Sequence, residues 1–134
     1  MKSKIKTIAD AFKLLKLKQV KLSDFEFLPE SIRKYMFNHY NLTVVVRALN
    51  FEANGNKEWE PDWNDRSQWK YYPWPTVEAS ANKPSGFSFS YSNDLYSSSG
   101  ASVGARLLFL SSELALYALE QFEELYLENQ LIIK

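Results

Sequence analysis

The sequence predicts an α+β fold, a small antiparallel sheet of about three strands packed on helices from both chain ends. Three observations lead there. Apolar residues recur at helical spacing near the N-terminus and again over residues 113–128. Residues 87–92 alternate strictly, with Phe87, Phe89 and Tyr91 against Ser88, Ser90 and Ser92. Residues 105–110 form a short run apolar on both faces, as a central strand would be.

Each element follows from local chemistry. Thr7 can cap a first helix over 7–17, with Asp10 three residues on completing a capping box. Ile8, Ala11, Phe12 and Leu15 form its apolar stripe. Residues 18–28 read as a connector anchored by Val20, Leu22, Phe25 and Phe27. Pro29 suits the first turn of a second helix over about 30–52, where a missing N–H costs nothing. One face of that helix carries Ile32, Tyr35, Met36, His39, Thr43, Val46 and Leu49, and Asn54-Gly55 ends it. The run Thr43–Val46 is β-branched and opposes helix locally.

A polar loop, 56–68, leads into an extended segment, 69–78. Pro73 and Pro75 remove two ladder donors there, so this strand belongs at an edge. Residues 79–86 are turn chemistry, and 97–104 (SSSGASVG) a flexible loop. Ser111 or Ser112 can cap the last helix, 113–128, whose core stripe is Leu114, Ala118, Phe122 and Leu125. Leu131–Ile133 is a short apolar tail. The chain of 134 residues carries no repeat and no linker, so residues 1–134 form one domain, with 1–6 a candidate disordered basic tail.

Composition removes several function classes. Lys+Arg and Asp+Glu are both 16, which withdraws the simplest support for duplex nucleic-acid binding. The chain has no Cys, so disulfide scaffolds, thiolate zinc sites and thiol nucleophiles are excluded. His39 is its one histidine; it lies on an apolar helix face without a matched nucleophile, which is poor ground for a general base. No apolar run is long enough for a membrane span or a signal peptide, so a cytoplasmic protein without a membrane partner is expected. The neutrality is a sum of unlike parts. Residues 1–21 hold seven lysines against Asp10, a net +6, and the remainder holds nine bases against fifteen acids, a net −6. Because the lysines interleave with a core stripe, they read as a solvated helix face more readily than as a basic arm.

The candidate binding site is an aromatic cluster: Trp59, Trp63, Trp69, Tyr71, Tyr72 and Trp74 fall within sixteen residues. Such clusters stack bases, line sugar clefts or anchor peptides, and more commonly pack over a core. Over 56–78 three bases face five acids, a field that opposes phosphate. Asp62, Asn64 and Asp65 resemble part of a calcium loop, but Arg66 stands at a ligand position and no glycine follows. An Asx-turn explains them better. The 97–104 loop lacks the lysine of a phosphate cradle and precedes a strand. No catalytic residue, metal site or cofactor is expected.

Four segments together, EPDWND (60–65), QWKYYPW (68–74), GFSFSY (86–91) and VGARLLFLSSELALYALEQFEELY (103–126), resemble a family of short uncharacterised proteins from Bacteroidetes, their prophages and mobile elements, and gut phages. The resemblance spans roughly residues 7–130. It implies an accessory role in a bacterial host cytoplasm and carries over no catalytic residues. The expected function is a non-enzymatic module that binds a protein partner, or a second copy of itself, through the aromatic loop and sheet edge. A single-stranded nucleic-acid binder, stacking bases on these rings or on Phe87, Phe89 and Tyr91, is the alternative. A carbohydrate- or nucleotide-directed enzyme using Asp62 and Asp65 is a third, weaker reading.

Overall fold

The computed structural model describes residues 3–62, 64–65, 68, 70–73, 76–79, 87–90, 94–96 and 105–130. Helix α1 (Ile8–Leu14) begins at the expected capping box: the Thr7 hydroxyl accepts from the Asp10 amide at 3.2 Å, and the Asp10 carboxylate accepts from the Thr7 amide at 3.1 Å. Ala11 and Phe12 are its buried face. The helix closes through Lys16 at φ 57°, with the Leu17 amide donating to the Phe12 carbonyl and the Lys16 amide to that of Lys13. That is a Schellman motif built on a lysine instead of a glycine.

Residues 3–6, the candidate basic tail, lie against the helices. The Ser3 hydroxyl donates to Glu52 at 2.6 Å, and the Tyr117 hydroxyl donates to the Ile5 carbonyl at 2.7 Å. Ile5 is fully buried, and burial pushes the Tyr117 phenol up from its ordinary value.

The connector contains a single 3-10 turn, Leu22–Phe25. Arg33 fastens it to the next helix, donating to the carbonyls of Phe25, Glu26 and Leu28. Helix α2 (Glu30–Ala53) is the longest element. Its Thr43–Val46 run is helical in spite of β-branching, because Val44, Val45 and Val46 are buried and packing overrides propensity. The end is the second Schellman motif, with Gly55 at φ 71° and the Asn56 amide donating to the Phe51 carbonyl at 2.9 Å.

The predicted α+β class with one three-stranded sheet is incorrect; the described residues are mostly helical. Its core is helix on helix: Ala11 and Phe12 of α1, Leu42 to Leu49 of α2, and apolar residues 107–127. Extended structure is confined to four short segments, β1 (Tyr71–Pro73), β2 (Thr76–Ala79), β3 (Phe87–Ser90) and β4 (Asp94–Tyr96). They pair antiparallel as β1 with β4 and β2 with β3. Two residues join β1 to β2 and three join β3 to β4, so the ladder offset slips by one residue between the pairs.

The third, central strand expected over 105–110 does not form. Ala105–Leu107 winds into a 3-10 turn, and only Phe109 reaches β1, through reciprocal bonds with Tyr71 at 2.7 and 3.0 Å. The run is apolar throughout because Leu107, Leu108 and Phe109 are all buried in the helical core. A buried irregular segment and a buried strand share that pattern.

The last helix is likewise two: α3 (Ser112–Gln121) and α4 (Glu123–Gln130), separated at Phe122. Ser111 caps α3 by accepting from the Leu114 amide at 3.2 Å, and Leu114, Ala118, Phe122 and Leu125 are buried as expected. The 131–133 tail and the 97–104 loop lie outside the described residues. No helix among the described residues is long and apolar enough to cross a membrane.

Candidate interaction surface

The apolar stripe of α2 changes character along its length. From Asn38 onward the helix enters the core. Its first two turns project beyond it, so Ile32, Tyr35 and Met36 are 43%, 47% and 37% exposed. These residues recur at i, i+3 and i+4, the spacing of a face made for packing. The connector adds Leu22 and Phe27, the latter 79% exposed. Both read as apolar anchors of the connector in the sequence; in the structure both face solvent, Leu22 at the start of the 3-10 turn and Phe27 just beyond it.

A relay of rings ties Phe27 back to the core. Phe12, buried in the core, meets Tyr40 edge-on at 6.0 Å; Tyr40 meets Phe25 at 6.3 Å; Phe25 stacks on Phe27 at 6.3 Å and meets Phe37 edge-on at 5.8 Å. His39 stacks on Tyr35 at 5.9 Å, 18° from parallel, so it belongs to this surface. Exposed apolar residues that gather on one face mark interaction sites more than singly scattered ones do.

Further along α2 the same face runs into a cleft of about 660 Å³. Tyr40, Thr43, Val46 and Arg47 of α2 form its floor, and residues 58–61 overhang it. The overhang is positioned by the end of α2. The Asn54 side-chain amide donates to the carbonyls of Lys57 and Glu58 at 3.1 and 3.2 Å, which turns the chain back along the helix. Glu58 then receives the Arg47 guanidinium, Nη2 to Oε1 at 2.6 Å and Nε to Oε1 at 2.9 Å. That guanidinium holds the Glu58 carboxyl below the usual carboxylate range, and Arg47 is raised in return. Both side chains are half-exposed, so the pair orients the overhang more than it stabilises the fold.

Of the predicted site residues, Trp59 takes part in the cleft and is half-buried. Tyr71 is elsewhere: half-buried, it packs on the core beside its bridge to Phe109. Tyr72 lies in β1, and Trp63, Trp69 and Trp74 are outside the described residues. Phe87 and Phe89 lie in β3, and Tyr91 is outside. The Asx-turn reading holds, because the Asp62 carboxylate accepts from the Asn64 amide at 3.0 Å. Among the described residues no three acidic or histidine side chains gather as metal ligands.

Sequence reasoning passed over three polar residues that build this region. Asn50 is buried under the cleft and clamps the backbone of 108–110, donating to the Leu108 carbonyl at 2.8 Å and accepting from the Leu110 amide at 3.1 Å. Lys70 is fully buried, its ammonium donating to the Gln68 carbonyl at 3.0 Å. Arg106 lines the cleft and is exposed. A polar residue at a core position of the α2 repeat was the available signal for Asn50; nothing in local spacing marks the other two.

Comparison of the chain with protein-family models, with curated proteins and with solved structures returns no match.

Proposed function

We propose that this chain is a non-enzymatic accessory protein that docks a protein partner on the exposed face of α2. The observation that supports this reading is the stripe Ile32–Tyr35–Met36, with Phe27 exposed on the preceding connector, apolar residues left uncovered by described residues. Exposed aromatic anchors suit binding hot spots. Further along α2, Trp59 of the predicted aromatic cluster lines the neighbouring cleft. The resemblance to phage and mobile-element proteins supplies the setting, the cytoplasm of a bacterial host.

The test is site-specific photocrosslinking in a Bacteroidetes host. A benzoylphenylalanine at Tyr35 should capture one discrete partner, and the same group at exposed Glu120 should not. Adding Ile32→Ser and Met36→Ser should abolish the capture. Equal crosslinking from both positions, or capture indifferent to the serines, contradicts the reading.

A further inference from the structure

The loop that joins the cleft overhang to β1 closes on a cation that belongs to the chain itself. Its described residues, 62, 64, 65, 68 and 70, are tied together by local hydrogen bonds. The Asp65 amide donates to the Asp62 carbonyl and the Gln68 amide to the Asp65 carbonyl, each at 3.3 Å, which makes two successive turns. The Gln68 side chain returns to the start of the loop, where its Oε1 accepts from the Asp62 amide at 2.6 Å. The Asp62 carboxylate accepts from the Asn64 amide. Lys70 closes the loop from its far end. Its side chain is only 1% exposed, and its ammonium donates to the Gln68 carbonyl at 3.0 Å and, more weakly, to the Asp65 carbonyl at 3.4 Å.

A charge taken out of water persists only where polar groups replace its hydration. Carbonyl oxygens converging on one point do this for an ammonium, which carries donors and no acceptor. Converging backbone carbonyls are also how loops hold hard metal cations. The likeness of Asp62, Asn64 and Asp65 to part of a calcium loop therefore has a physical counterpart: the segment does close on a positive centre, and Lys70 supplies it. The spacing is that of an ammonium. The carbonyl oxygens stand 3.0 and 3.4 Å from Nζ, whereas calcium draws its ligands in to about 2.3–2.6 Å.

We infer that residues 62–70 build a primary-ammonium site, which Lys70 fills from within the chain, and that this internal cation sets the shape of the loop. Lys70 is a positioning residue: it acts through the carbonyls of Asp65 and Gln68 on the segment between the overhang and β1. The inference is separate from docking on α2, since none of its residues belongs to that helix.

Chemical rescue in the full chain tests it. Lys70→Ala removes the ammonium with three methylenes, the outline of n-propylammonium. The variant should melt about 10 °C below wild type, and n-propylammonium should restore at least half of that loss, saturably, while leaving wild type unmoved. n-Propanol, of the same length without the charge, and tetramethylammonium, charged without an N–H donor, should restore little. Lys70→Met, an uncharged chain of similar length, should also melt well below wild type, because it strands the carbonyls that the ammonium meets. If Lys70→Ala does not fold alone, the readout becomes refolding: recovery of helical circular dichroism in n-propylammonium but not in tetramethylammonium supports the site, and any other pattern overturns it. No restoration, or equal restoration by all three additives, overturns the inference. So does a Lys70→Met variant that melts within about 2 °C of wild type, since the loop then needs no cation. Restoration of Lys70→Ala by calcium and not by n-propylammonium overturns it in favour of a metal loop.

Discussion

Two helix ends in this chain use the same hydrogen-bond pattern with different residues, Lys16 at φ 57° and Gly55 at φ 71°. Asn-Gly was readable as a terminator because both residues tolerate the left-handed region. Lysine gives no such signal, so the end of α1 was placed two to three residues late. A Cβ added at Gly55 would meet nothing within 4 Å, so Gly55→Ala should cost about 1 kcal/mol from backbone conformation alone, read as a lower urea midpoint. Asp10 makes a second prediction at this scale. Hydrogen bonds from the Lys6 and Thr7 amides and the Thr7 side chain hold its carboxyl below the ordinary value of 3.8. A depressed folded-state pKa means that its contribution is complete above about pH 4 and is lost as pH falls through the folded-state value. Melting temperatures at pH 7 and pH 3 should therefore converge in Asp10→Asn relative to wild type; an unchanged gap contradicts the capping role.

At the scale of elements, α2 shows what period can and cannot say. Of the seven residues expected on its apolar face from Ile32 to Leu49, only Val46 and Leu49 are buried, and the core side also takes Leu42, Val44, Val45 and Ala48, which that face left out. Periodicity reports that a face is apolar and leaves open whether this chain or another covers it. The candidate site was legible in the same partial way. Trp59 was identified by type, but the cleft depends on Asn54, Arg47 and Glu58, whose spacing of 54 to 58 and 47 to 58 crosses a helix end and matches no local motif. Asn50 is the element-scale test. Asn50→Ala strands the Leu108 carbonyl and the Leu110 amide in buried or half-buried surroundings, and should cost about 2–4 kcal/mol by urea unfolding. A loss under about 0.5 kcal/mol, the range of ordinary surface changes, would mean that the clamp is not formed.

For the whole molecule, the sequence reading erred by turning short extended segments into a layer. The alternation expected over 87–92 does correspond to β3 over Phe87–Ser90, and the extended segment expected over 69–78 to β1 and β2 among the described residues. A sheet needs a third strand to unite them, and the run chosen for it, 105–110, is irregular chain enclosed by helices. The structural layer is instead α2 with α1, α3 and α4 around it, and the strands pack on α3 and α4, with a backbone bridge from Tyr71 to Phe109. That arrangement leaves the first two turns of α2 outside the core, and the account of function depends on it. Urea unfolding of the triple variant Ile32→Ser, Tyr35→Ser, Met36→Ser tests this directly. Stability within about 1 kcal/mol of wild type is predicted, because surface substitutions of this kind change little. A loss above about 4 kcal/mol, the scale of large-to-small changes in a core, would show that the chain itself buries this face and would leave no surface for a partner.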